Sequence, residues 1–143
     1  EYIKDIKGAT MAGPLKNIYA ILFGACDACG IGQNEKGILF KKAISEMSQI
    51  IKDQGGDPHT AVSYAGLGDL FATATSINSK NHEIGKELIL SGILNLSGEG
   101  SISLDGLKIK LGETINKYPV LDVIIKMTAD SQSAKNIIND LWK

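Results

Sequence analysis

Residues 66–85 read Gly66-Leu67-Gly68-Asp69-Leu70-Phe71-Ala72-Thr73-Ala74-Thr75-Ser76-Ile77-Asn78-Ser79-Lys80-Asn81-His82-Glu83-Ile84-Gly85. Gly66 and Gly68 frame a tight turn, and Asp69 stands where a helix N-cap is expected. Thr73 follows four residues later, on the same helical face as Asp69. A second turn, Ser76-Ile77-Asn78-Ser79, leads into Lys80-Asn81 at the start of another helix. The stretch thus brings a carboxylate, a hydroxyl, a cation and an amide to two helix N-termini. Such termini favour anions, because their free N–H groups and the helix dipole both attract negative charge. The plainer reading is two capped helices joined by a loop, and the pattern alone fits both.

Working outward, the first strong helical run covers residues 14–29. Pro14 fits a first helical position. Leu15, Ile18, Tyr19, Leu22 and Cys26 recur at three- and four-residue spacing as one apolar face. Lys16 and Asn17 interrupt it, and Lys16 is either a lysine snorkelling to water or a cation held at a pocket mouth. Asp27 shares the azimuth of Lys16 but lies about 16 Å further along the helix, too far to pair with it. A second helix spans 34–53, with Ile38, Leu39, Ala43, Ile44, Met47, Ile50 and Ile51 inward and Lys36, Lys41, Lys42, Glu46 and Lys52 outward. Asp57-Pro58 starts a short helix over 58–65. Further helices are expected at 80–91, 105–117, 119–128 and 132–142, with Tyr118-Pro119 as a break. The Gly/Ser segment 92–104 is expected to be an extended loop and the most mobile part of the chain. With no alternation strong enough for a sheet, the expected fold is all-α: one multi-helix orthogonal bundle over residues 1–143.

Composition narrows the function classes. A length of 143 residues with 43% hydrophobic content suits one domain with a real core. The net charge of −1 gives no electrostatic reason to expect nucleic acid or an anionic membrane as partner. All 15 basic residues are lysines, so any planar bidentate cation must come from elsewhere. No apolar run is long enough to span a bilayer, and Glu1-Tyr2-Ile3-Lys4-Asp5 lacks the apolar core of a signal peptide. The first residue is not Met, and a piece of a longer chain is expected. Cys26 and Cys29 form a lone C-x-x-C, with only His59 and His82 as histidines. That set is poor for structural zinc. The pair is read as reduced core thiols in a cytoplasmic setting, and no metal is expected.

Several ordered motifs resemble the NAD-dependent glycerol-3-phosphate dehydrogenases. Gly13-Pro14-Leu15-Lys16-Asn17-Ile18 is similar to that family's G-A-L-K-N segment, and Gly66-Leu67-Gly68-Asp69-Leu70 with Thr73 to its G-L-G-D-L-x-x-T. Ser79-Lys80-Asn81-His82-Glu83-Ile84-Gly85 resembles the bacterial S-R-N-R-x-x-G, and Gly30-Ile31-Gly32-Gln33-Asn34-Glu35-Lys36 resembles G-x-G-D-N-x-K. Glu46-Met47 also has a family counterpart.

The resemblance implies the C-terminal, all-α substrate domain of a two-domain enzyme. NAD or NADP would be held mostly by an N-terminal Rossmann domain outside this chain, whose Gly66-Leu67-Gly68 opens only a short helix. It implies interconversion of dihydroxyacetone phosphate and sn-glycerol 3-phosphate, with little activity for this domain alone, and a homodimer as in relatives. Lys16 would be the catalytic lysine, with Asp69 orienting it and Thr73 beside it. Asn17 would support Lys16 or the substrate hydroxyls. Lys80 and Asn81 would hold the phosphate, and Lys80 and Asp105, the latter in an Asp105-Gly106 counterpart of a late Glu-Gly, would reach the dinucleotide. Lys80 and His82 stand where the family has arginines. A different class, a helical assembly module that kept the fold and lost the chemistry, is the competing expectation.

Overall fold

The computed structural model describes residues 4–94 and 99–142. Among them the chain is helical throughout, with no strand: α1 Ile6–Ala28, α2 Gln33–Asp53, α3 Asp69–Thr75, α4 Lys80–Ser91, α5 Glu99–Leu111, α6 Pro119–Ala129 and α7 Ala134–Asp140. Between α2 and α3 run a 3₁₀ turn, Pro58–Val62, and a π-helical turn, Tyr64–Gly68. A second 3₁₀ segment, Gly112–Lys117, joins α5 to α6. The all-α expectation holds. None of the described helices is long and apolar enough to cross a membrane.

Helix α1 is the axis of the bundle. Every residue from Ile18 to Cys26 is buried, so the helix is apolar all round and not on one face as the spacing suggested. Helices α2, α3, α4 and α5 all pack against it. It also begins earlier than expected, which places Pro14 in its interior. The Asp5 carboxylate holds the early start. It caps α1 by accepting from the Gly8 N–H at 3.0 Å, and it also accepts from the Asp57 N–H at 2.8 Å and the Thr60 hydroxyl at 2.7 Å. These bonds lower the Asp5 carboxyl below its ordinary value, the Gly8 bond most.

The α1–α4 crossing is closer than side chains allow. A Cβ on Gly85 would lie 1.8 Å from the Ile21 carbonyl oxygen, and one on Gly24 1.8 Å from that of His82. Both obstacles are backbone, so the helices themselves must separate. Gly85→Ala is expected to cost about 3 kcal/mol of stability in urea unfolding, as overpacking does. Gly106→Ala in α5, where a Cβ meets open space, is the control and should be neutral or slightly stabilising.

Two expectations fail in the described segments. Residues 99–104 are helix, not extended loop, and Gly100, Ser101 and Leu104 are buried, so the expected mobility has no basis in their packing. The part at 95–98 lies outside the described residues. Glu46, assigned to the outer face of α2, is buried, while Ile38 is exposed. The Glu46 Oε2 accepts from the Val120 N–H at 2.6 Å, and Oε1 accepts from the Leu121 N–H at 2.8 Å and the Tyr19 hydroxyl at 3.0 Å. It therefore caps α6, whose own N-cap residue, Tyr118, supplies no side-chain bond. Both cysteines are free, and burial pushes the Cys26 thiol up to about 12, as suits an inert packing residue.

Candidate active site

The site grows from the first turns of α1 that leave the core. Leu15 and Ile18 are buried, whereas Lys16 and Asn17 between them turn outward. The Lys16 Nζ donates to Asp69 Oδ2 at 2.8 Å, joining segments 53 residues apart. The two side chains are 26% and 52% exposed. An ion pair that open contributes about 0–1 kcal/mol to stability, so its interest lies in where it holds the ammonium group.

Asp69 is available for that pairing because it is not an N-cap, contrary to the expectation. Gly68 is already helical, with φ −61° and ψ −50°, since the π-helical turn runs straight into α3. With the chain already coiled, the carboxylate has no cap to make and points to Lys16. Gly66 makes this turn feasible, because a Cβ there would lie 2.2 Å from the Ala61 carbonyl oxygen.

An open cleft of about 340 Å³ borders the pair, lined by Gly13, Lys16 and Asn17 of α1 and by Glu99, Ile102 and Ser103 of α5. The Asn17 Nδ2 donates to Glu99 Oε2 at 3.5 Å across it. Behind it, Asn81 Oδ1 accepts from the Gly100 N–H at 2.8 Å, satisfying a free donor at the start of α5. Asn81 is thus a buried strut that seats α5. Lys80 is exposed in the first turn of α4, which Ser79 caps through the His82 N–H. Thr73 lies one turn beyond Asp69, but its hydroxyl donates to the Asp69 carbonyl at 2.7 Å.

Asp105 is not brought to the cleft. It is exposed and pairs with Lys108 at 3.8 Å within α5. The Glu-Gly that does sit there is Glu99-Gly100, which the expected loop had hidden.

A second polar cluster escaped the sequence reading. The His82 Nε2 lies 2.7 Å from Asp27 Oδ2, and the Lys36 Nζ bonds the other oxygen of that carboxylate. His82 is 3% exposed. Asp27 could not meet Lys16, and its partners come from α2 and α4 instead. The signal was Lys36 inside the G-x-G-Q-N-x-K run, and a histidine where an arginine belongs. Burial raises the Asp27 carboxyl, but the bonds from Lys36 and His82 outweigh it, and the net shift is downward. A lowered folded value means that the stabilisation is complete above the ordinary aspartate range and is lost as pH falls through the lowered value. Asp27→Asn is therefore expected to be less stable than wild type near neutrality. The gap should close in acid, as read from urea midpoints over a pH series.

Fold and cleft together define a class: an all-α domain wound on one buried helix, presenting a lysine–carboxylate pair at an open cleft. The family follows from comparison. The chain belongs to the family described as NAD-dependent glycerol-3-phosphate dehydrogenase C-terminus, whose model matches residues 5–139. It is 37% identical over 146 residues to a glycerol-3-phosphate dehydrogenase [NAD(P)+] of Pseudomonas putida (strain GB-1), covering 97% of this chain and 43% of that protein. It is 31% identical to the Alcanivorax borkumensis protein of the same name, covering 96% of this chain and 42% of that one. The crystal structure of glycerol-3-phosphate dehydrogenase from Coxiella burnetii superposes with a TM-score of 0.81 at 25% identity, covering 99% of this chain and 46% of that one. The chain thus spans less than half the length of these relatives.

Proposed function

We propose that this chain is the substrate-binding half of an NAD(P)-dependent glycerol-3-phosphate dehydrogenase, interconverting dihydroxyacetone phosphate and sn-glycerol 3-phosphate. The observation that carries the reading is the Lys16–Asp69 pair at 2.8 Å. Two motifs 53 residues apart, each weak alone, meet in one acid–carboxylate unit at the mouth of a cleft.

In this reading Lys16 donates a hydrogen bond to the substrate carbonyl oxygen and gives up its proton as that oxygen becomes a hydroxyl. Asp69 keeps the ammonium group aimed at the cleft and balances its charge. Lys80 and the N–H groups opening α4 attract the phosphate, as cations at helix N-termini do, though a lysine lacks the bidentate fork of arginine. Asn17 and the Asn81 amide offer donors to the substrate oxygens. Thr73 acts at one remove, holding the turn that carries Asp69.

The described residues include no strand and no dinucleotide-binding turn following one, so they fit only the edge of a nicotinamide dinucleotide. Glu99 would supply a carboxylate that accepts from a hydroxyl or amide of the ligand at that edge, in the place assigned above to Asp105. When bound, the dinucleotide supplies or takes the hydride. The rest of its site is assigned to the part of the relatives' length that this chain does not cover.

The test is NADH oxidation by the full-length polypeptide containing this chain, with dihydroxyacetone phosphate and with dihydroxyacetone. Turnover that depends on the phosphate supports the reading. Absent turnover in a folded protein with bound NADH would favour the silent helical module.

A further inference from the structure

A second cavity, of about 420 Å³, shares no lining residue with the cleft. Its walls are apolar: Leu22 of α1, Leu39 of α2, Val120 and Val123 of α6, and Leu141 and Trp142 at the end of the chain. Its mouth is basic. Lys41 and Lys42 come from α2 and Lys117 from the segment before α6, and all three are exposed. None of the three enters an ion pair with a described residue, although elsewhere the chain pairs Lys16, Lys36, Lys108 and Lys126.

Two polar groups in the wall sharpen the ligand chemistry. The Trp142 indole Nε1 has no acceptor among the described residues, but it is closed off from solvent, so a ligand in the open cavity meets the ring and not the N–H. Glu46 also borders the cavity, but both its oxygens are taken by Val120, Leu121 and Tyr19. Its charge is therefore held against the α6 N-terminus, and it is no acceptor for the indole.

We propose that this cavity is a binding site for an amphipathic anion, an aliphatic chain carrying a carboxylate, with the chain among Leu39, Val120, Val123 and Leu141 and the carboxylate at Lys41, Lys42 and Lys117. A volume of this order is typical of small-ligand sites, which pair apolar walls with a few placed polar groups. The charge pattern selects the class. An uncharged chain would leave Lys41 and Lys42 at the mouth without a counter-charge, and an inorganic anion would leave the apolar walls wet.

Trp142 is the only tryptophan in the chain, so its emission reports on the site. The experiment titrates the 143-residue chain with decanoate, below its micelle concentration, against decanol and inorganic phosphate. Emission and calorimetry are read together. The expected result is saturable one-to-one binding of decanoate, at least about tenfold tighter than decanol, with no binding of phosphate. The triple variant Lys41→Gln, Lys42→Gln, Lys117→Gln should keep its circular dichroism and bind decanoate about tenfold more weakly. Equal affinity for decanol and decanoate overturns the proposal, as does the absence of saturable binding. It is also overturned if Trp142 emission changes with protein concentration, in step with sedimentation as a dimer, and decanoate has no effect. The cavity is then an interface between two copies.

Discussion

Lys16→Ala is expected to lower kcat for dihydroxyacetone phosphate reduction about 10³-fold in the full-length polypeptide, the scale of a lost general acid. KM should change little, because the phosphate and its cation are untouched. Stability should change by less than about 1 kcal/mol, since the Lys16–Asp69 pair is open to water and Asp69, half exposed, is hydrated once left alone. That separation distinguishes chemistry from architecture. Lys16→Arg should be nearly as inactive as Lys16→Ala, because a guanidinium keeps the charge but does not give up its proton. Equal rates for wild type and Lys16→Ala would remove Lys16 from the mechanism.

Glu46→Ala should show the reverse pattern, a large loss of stability from a residue that faces no substrate. The substitution strands the Val120 and Leu121 N–H groups and the Tyr19 hydroxyl, all buried, and removes an anion from the N-terminus of α6. The expected cost is about 3 kcal/mol in urea unfolding. Glu46→Gln should lie between, since one amide oxygen serves two of the three donors. Burial raises the Glu46 carboxyl above its ordinary value, although the bonds from Val120, Tyr19 and Leu121 oppose that. A raised acid means that the native state holds the proton more readily than the unfolded chain. The contribution of Glu46 is thus largest below the ordinary glutamate range and shrinks as pH rises through the raised value. A loss under about 1 kcal/mol would mean that these donors find other partners, and that α6 does not depend on Glu46.

What was legible in the sequence follows from how local each cause is. Helices α2, α4 and α6 were readable because their boundaries are chemical and near in sequence, as with Ser79 before α4 and Pro119 opening α6. The start of α1 was not. Pro14 marks a beginning by local rules, and only the bonds from Asp57 and Thr60 to Asp5 show why the helix runs eight residues further back. The first turns of α5, residues 99–104, were hidden by Gly100 and Ser101, poor helix formers. At Gly100 the small residue is required, because a Cβ would lie 2.7 Å from Asn81 Oδ1 and 2.9 Å from Ile21. Glu46 followed the polar stripe of its helix and was placed outside, since only a distant helix N-terminus gives a buried carboxylate its partners.

The candidate site divides along the same line. Lys16, Asn17 and Asp69 are singled out by motif order, and the structure brings Lys16 and Asp69 into contact. Asn81 is singled out for its amide, but its bond to Gly100 is invisible to a reading in which 92–104 is loop. The Asp27–His82–Lys36 cluster draws on three helices, and no spacing rule reaches across them.

The central claim is that the Lys16–Asp69 cleft is where the substrate reacts. A crystal structure of the full-length polypeptide with dihydroxyacetone phosphate and the oxidised dinucleotide tests it most directly. The account predicts the substrate carbonyl oxygen within hydrogen-bonding distance of the Lys16 Nζ, and the phosphate against Lys80 and the first turn of α4. Substrate bound elsewhere on the chain, with Lys16 still closed on Asp69 and touching nothing else, would contradict it.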